Sequence, residues 1–228
     1  MKKVGILCAG DTEFFPFLPY LKNDTVTTRA MLQFHEGLIG DVPVVVLYSG
    51  VCKVNAAIAA QLLIDAFHTD IIINAGTAGA IDGSVRLFDT VIADKMAYHD
   101  VAEDILTEFH PWMESVYFKP SAELLALAQD YSRSSEHRIL FGTAVTGEQF
   151  INNSERAAIY EKHAPLSVDM ETTAIAHVCH VNQVPFLSIR TITDTAEHEG
   201  IENFEKNCEH ASQISAEITV ALLKKLTP

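Results

Sequence analysis

The chain has no cluster of Lys and Arg, no CxxC pair, no long apolar run and no linker rich in Gly, Pro or Ser. Each absence excludes something. A groove that tracks nucleic-acid phosphates, or a patch that docks on anionic lipid, needs grouped cations. With a formal charge of −14 over 228 residues, neither partner is expected. No segment approaches the ~20 apolar residues of a membrane span. The start, MKKVGILCAGDTEFF, carries two lysines and a short apolar run, but Asp11 and Glu13 break that run. A secretory leader needs a longer one and a small-residue cleavage site. The four cysteines, Cys8, Cys52, Cys179 and Cys208, are widely spaced, which suits buried, reduced thiols in the cytoplasm. Without linkers or repeats, residues 1–228 read as a single domain.

What is present is an alternation of apolar runs and helical patterns. Strands are expected over Val4–Cys8, Val42–Gly50, Asp70–Ala80 (there running into a glycine loop), Asp89–Tyr98, Ile139–Gly147, Pro165–Met170 and Pro185–Thr195. Helices are expected over Val54–Phe67, Ser121–Tyr131 (with Ser121 as cap), Glu171–Asn182 and Asn203–Leu226. Continuous apolar strands interleaved with helices imply an α/β layer fold with a sheet buried on both faces. Ligands gather at strand ends in such folds, so polar residues there carry the interest.

Four strand ends stand out. In CAGDTEFF, Asp11 and Glu13 follow the first strand; Glu13 is either an acid–base group or a dipole-stabilised residue at a helix start. In NAGTAGA, Gly76 and Gly79 admit close backbone approach and Thr77 offers a hydroxyl. That stretch is neither GxGxxG nor a Walker motif, and a tight strand-to-helix turn accounts for it equally well. In VDMETTAIAHVCH, Glu171 opens a helix, while Asp169, two residues earlier, should point to the opposite face of the sheet as a structural residue. His177, Cys179 and His180 lack a further suitably spaced ligand, so no metal is expected. In SIRTITDTA, Arg190 in an apolar strand demands an anionic partner or ligand, and Asp194 either caps a turn or carries a proton. Glu13, Glu171 and Asp194 together line strand ends with acid, which suits chemistry that builds positive charge.

VDMETTAIAHVCHVNQVPFLSIRTITDTA resembles the signature region of the bacterial 5′-methylthioadenosine/S-adenosylhomocysteine nucleosidases, in the nucleoside phosphorylase/hydrolase superfamily. VGILCAGDTE, SGVCKVNAAIAAQLLI, DIIINAGTAGA, Tyr98–Asp100 and TGEQFIN extend the match over most of the chain. The resemblance implies a three-layer α/β sandwich with a central mixed β-sheet flanked by helices. It implies a homodimer that takes a nucleoside and uses no metal and no cofactor. It makes Asp194 the acid that protonates adenine N7 and Glu13 the base that activates water. Arg190 and Thr77, with the neighbouring Ala78 and Gly79, would lie around that water. Glu171 would bind the ribose hydroxyls with Met170 beneath the sugar, Phe150 would stack on adenine, and the Ile151 backbone would read the base edge.

Phosphorylases of this superfamily carry arginines in the first glycine loop and before the second. Here those places read AGDTE and Asn74, so water is the expected nucleophile. A purine nucleoside phosphorylase and a non-catalytic nucleoside-binding protein are the alternatives. The chain departs from the family after Asp100. VAEDILTEFHPWMESVYFKP replaces a stretch rich in Tyr and Gly, leaving methylthio, homocysteinyl and 5′-deoxy groups all compatible. Phe109, His110, Pro111 and Trp112 there form either an aromatic lid or, for Trp112, packing at a dimer interface.

Overall fold

The computed structural model describes residues 2–109, 113–196 and 201–226. Nine strands form one mixed sheet in the order β2-β3-β4-β1-β5-β8-β7-β6-β9. They are β1 (Val4–Cys8), β2 (Leu21–Arg29), β3 (Leu32–Ile39), β4 (Val42–Tyr48), β5 (Ile71–Ala80), β6 (Thr90–Tyr98), β7 (Ile139–Thr146), β8 (Ser167–Asp169) and β9 (Phe186–Asp194). The helices are α1 (Asp11–Phe14), α2 (Lys53–Asp65), α3 (Glu103–Glu108), α4 (Ala122–Ser132), α5 (Asn153–His163), α6 (Thr172–Asn182) and α7 (Ile201–Lys225).

Alternation along the strands divides the interior into two apolar layers. Val4, Ile6 and Cys8 of β1 and Ile71, Ile73 and Ala75 of β5 pack with Ile214, Ile218 and Leu222 of α7. Leu7 and Ile72 point the other way, toward Ala56, Ala59 and Leu63 of α2 and Ile175 of α6. A sheet covered on both faces explains why its central strands read as unbroken apolar runs. The mixed sheet between helical layers is the expected architecture.

Helices α3 and α5 are additions to the expected elements, and two features of the sheet differ from the expectation. Leu21–Arg29 and Leu32–Ile39 form an antiparallel hairpin that the apolar pattern does not reveal. NAGTAGA is neither loop nor turn: β5 runs through it to Ala80, paired in parallel with β9 from Ile72–Phe186 onward. The end of β5 also pairs antiparallel with β8 at Gly79–Val168. With β6 joining β7 to β9, strands β5, β8, β7, β6 and β9 close on themselves. This closure brings the ends of β5, β8 and β9 to one place, beside the end of β1.

Candidate active site

A cavity of about 700 Å³ opens where these strand ends meet. Its wall includes all ten residues that the resemblance assigns to the site: Glu13, Thr77, Ala78, Gly79, Phe150, Ile151, Met170, Glu171, Arg190 and Asp194.

Arg190, buried on β9, organises one side. Its Nη2 donates to Glu171 Oε2 at 2.8 Å. Its Nη1 stands 3.9 Å from Glu13 Oε2, and its Nε 3.7 Å from Asp169 Oδ2. Glu13 is fixed by backbone: Ala9 N–H donates to Oε2 at 2.7 Å, and Thr77 N–H and Oγ1 donate to Oε1 at 2.7 and 2.9 Å. The glycines of β5 make room for acids rather than for a ligand alone. A Cβ on Gly76 would lie 2.4 Å from the Glu13 carboxyl carbon, and one on Gly79 would lie 2.9 Å from Asp194 Oδ2.

Glu171 receives a second hydrogen bond, 2.9 Å from the Cys52 N–H. Cys52 precedes α2 with φ +83°, a conformation costly for a non-glycine residue, and this aims its amide at the carboxylate. Asp169 does not face away, contrary to the strand alternation. Its Oδ1 accepts from Thr146 Oγ1 (2.7 Å) and from the Glu171 and Thr172 amides (3.0 and 2.9 Å), so it caps α6 from within the Arg190 cluster. The reason is that β8 ends at Asp169, so the pleat never reaches Glu171.

Across the cavity, Asp194 Oδ1 accepts from Thr193 Oγ1 at 3.0 Å and Oδ2 from Arg156 Nη2 at 3.1 Å. Arg156 is a participant that sequence reasoning missed. Its signal was in the spacing: Arg156, Ile159 and His163 share one face of α5, and all are buried. From α7, Phe204, Glu205, Cys208 and Glu209 complete the wall, with the Phe204 ring 6.4 Å from that of Phe150. Phe109 is exposed and does not line the cavity, and His110, Pro111 and Trp112 lie outside the described residues. His177 and His180 pack against Phe118, and a Tyr98 OH lies 3.3 Å from His177 Nδ1.

Seven of the lining residues are Asp or Glu, and Arg190 is the one cation among the described residues. Burial pushes Glu171 up to about 7, with Asp169 and Glu13 adding repulsion and Arg190 opposing it. Burial also raises Asp194, while Thr193 and Arg156 pull it back. For Arg190, burial disfavours the charge, but Glu13, Asp169 and Glu171 more than restore it. One guanidinium among three carboxylates thus leaves a place for a proton near neutral pH.

The raised Glu171 has a measurable consequence. Its stabilising share is complete below about pH 4.5, the unfolded value, and is lost as pH rises through about 7. A difference of that size corresponds to about 3 kcal/mol. Between pH 5 and 8, wild type should therefore lose about 2–3 kcal/mol more stability than Glu171→Gln in urea titrations. Equal losses would contradict the assignment.

Residues 3–224 match the family model described as the phosphorylase superfamily. A 5′-methylthioadenosine/S-adenosylhomocysteine nucleosidase of Aeromonas salmonicida is 34% identical, over 98% of this chain and all (100%) of that one. One from Exiguobacterium sp. is 35% identical over 98% of each chain. The solved S. pneumoniae nucleosidase of the same name, bound to the transition-state inhibitor MT-ImmA, is 32% identical with a TM-score of 0.89, covering 98% of this chain and 99% of that one. The chain belongs to the phosphorylase superfamily, and within it to the family of 5′-methylthioadenosine/S-adenosylhomocysteine nucleosidases.

Proposed function

We propose that this protein hydrolyses the N-glycosidic bond of 5′-methylthioadenosine, S-adenosylhomocysteine or both, releasing adenine and the 5-thioribose product. The observation that carries this reading is the charge of the cavity. Among the described residues its one lining cation, Arg190, already faces Glu13, Asp169 and Glu171, so a phosphate nucleophile would meet acids without a cationic clamp. Asn74, where a phosphorylase carries arginine, is fully buried and engaged, donating to Leu7 O at 2.9 Å and accepting from Thr172 Oγ1 at 2.7 Å.

In this reading adenine lies between Phe150 and Asp194, with the Ile151 backbone along its edge. Asp194 passes its proton to N7, which turns adenine into a neutral leaving group. The ribose gains oxocarbenium character as the bond lengthens. Glu171 holds its hydroxyls above Met170, and the carboxylates of Glu171 and Glu13 stabilise the developing charge. Glu13, fixed by the Ala9 and Thr77 amides, takes the proton of the attacking water, and Arg190 keeps Glu13 and Glu171 at their working separation. A protein that merely bound nucleosides would not need to bury three such acids around one cavity.

A second copy of the chain completes the functional unit. Helix α2 is apolar on its inward face, where Ala56, Ala59, Ala60 and Leu63 pack, and it also turns Val54 (69% exposed) and Ile58 (45%) outward, beside the polar Asn55 and Asp65. Large apolar side chains exposed next to one another on a helix mark an interface. Val51, half exposed, continues this stripe to the cavity wall, and Val181 of α6 borders it through the Gln61–Asn182 hydrogen bonds. The cytoplasm is the compartment this reading favours, consistent with Cys8, Cys52, Cys179 and Cys208 all being free thiols.

Adenine release from 5′-methylthioadenosine should proceed in phosphate-free buffer, and Asp194→Asn should lower kcat by about 10²–10⁴-fold. Release that depends on phosphate would make the protein a phosphorylase; absence of release with retained nucleoside binding would make it a binding protein. In sedimentation, wild type should run at twice the 25.1 kDa of the chain. Val54→Glu with Ile58→Glu should give monomers with impaired activity, whereas a wild-type monomer would refute the interface.

A further inference from the structure

Arg156 is a buried guanidinium outside the cavity wall, on an element that contributes nothing else charged to the site. Burying it is costly unless its charge is answered. Among the described residues, the one carboxylate within ion-pair distance is Asp194, at 3.1 Å, and the Nε and Nη1 donors have no hydrogen-bond partner. Both ends of that contact are held. Arg156 sits in the first turn of α5, where Glu155 Oε2 accepts from the Asn152 N–H at 3.2 Å and so fixes the helix start. The Asp194 carboxylate is confined by Thr193 Oγ1 on Oδ1 and by the bare backbone of Gly79 against Oδ2.

We propose that Arg156 is a positioning residue for Asp194: it engages Oδ2 as a permanent acceptor, so that the proton bound for the adenine base is carried on Oδ1. The inference rests on the reading of Asp194 as the acid. In the step, the Oδ1–H bond of Asp194 breaks as N7–H forms, and the electron pair of the glycosidic bond moves into the adenine ring. Asp194 is left as a carboxylate, and the guanidinium at Oδ2 neutralises it where it forms. Water returns the proton after adenine leaves.

Arg156 therefore makes Asp194 a stronger acid, while burial keeps it protonated at higher pH. The other charged or titratable groups around the cavity are Glu205, Cys208 and Glu209 of α7 and Asp11, Glu13, Asp169, Glu171 and Arg190. They are common to every variant compared, so a change on replacing Arg156 reports on Arg156.

The test is the pH profile of kcat/KM for 5′-methylthioadenosine in wild type, Arg156→Gln and Arg156→Lys, with Asp194→Asn as the control. Activity is lost as pH rises through the Asp194 titration. In Arg156→Gln this basic limb should move up by about one pH unit or more. Its kcat at the plateau should fall about tenfold, with KM changed less than about threefold, because Arg156 touches the acid and not the substrate. Arg156→Lys keeps a charge on a different reach, so its limb should fall between the two and kcat should recover in part. A uniform fall in kcat with the limb unmoved would assign Arg156 a structural role and overturn the proposal. Should Arg156→Gln not fold, a lysine variant whose limb coincides with wild type overturns it as well. An Asp194→Asn enzyme that stays active would instead refute the reading of Asp194 itself, on which the inference depends.

Discussion

One buried guanidinium facing three buried carboxylates is the constraint on which the rest of the site depends. Arg190 cannot lie in an apolar strand without answering charges, and Glu13, Asp169 and Glu171 come from three different elements to supply them. Removing any one acid changes the balance for the others, so the cluster ties β9 to the starts of α1 and α6 as a unit. The arrangement also leaves more negative than positive charge in a water-poor space. Such a space resists anions and favours a transition state with a positively charged sugar. Fold and chemistry are therefore set by the same four side chains.

The backbone makes that cluster compact. Without side chains, Gly76 and Gly79 let β5 lie directly against Glu13 and Asp194, the two acids read as base and acid. The strand stays paired with β9 throughout, so both acids are positioned by a hydrogen-bonded sheet instead of a loop. Rigid placement of that kind supports catalysis that depends on fixed distances. The strained Cys52 amide aimed at Glu171 is a further local cost accepted for geometry at the site.

Much of this was legible in the residues. The central strands announced themselves because both faces are covered, and the Ser121 cap is present, accepting from the Leu124 amide at 3.4 Å. The ten site residues converge on one cavity, Glu13, Thr77, Gly79, Glu171, Arg190 and Asp194 as their strand-end positions suggested and Ala78, Phe150, Ile151 and Met170 as the family resemblance implied. The hairpin of β2 and β3 stayed hidden for two reasons. Strand β2 is largely exposed and polar, and its turn is made by Ala30 and Met31 at positive φ, where Asn-Gly would have signalled it. Asp169 was misplaced because pleat alternation was extended past the end of a three-residue strand. Arg156 was passed over, although it shares a helix face with Ile159 and His163, since a lone arginine on a helix is ordinarily a solvated residue.

The most direct test of the account is to follow the oxygen that enters the sugar. 5′-Methylthioadenosine would be turned over in ¹⁸O-labelled water containing inorganic phosphate, and the products resolved by mass spectrometry. The account predicts free adenine without label and a free thioribose carrying one ¹⁸O, with no sugar phosphate. A phosphorylated sugar, or a free sugar without the label, would contradict it.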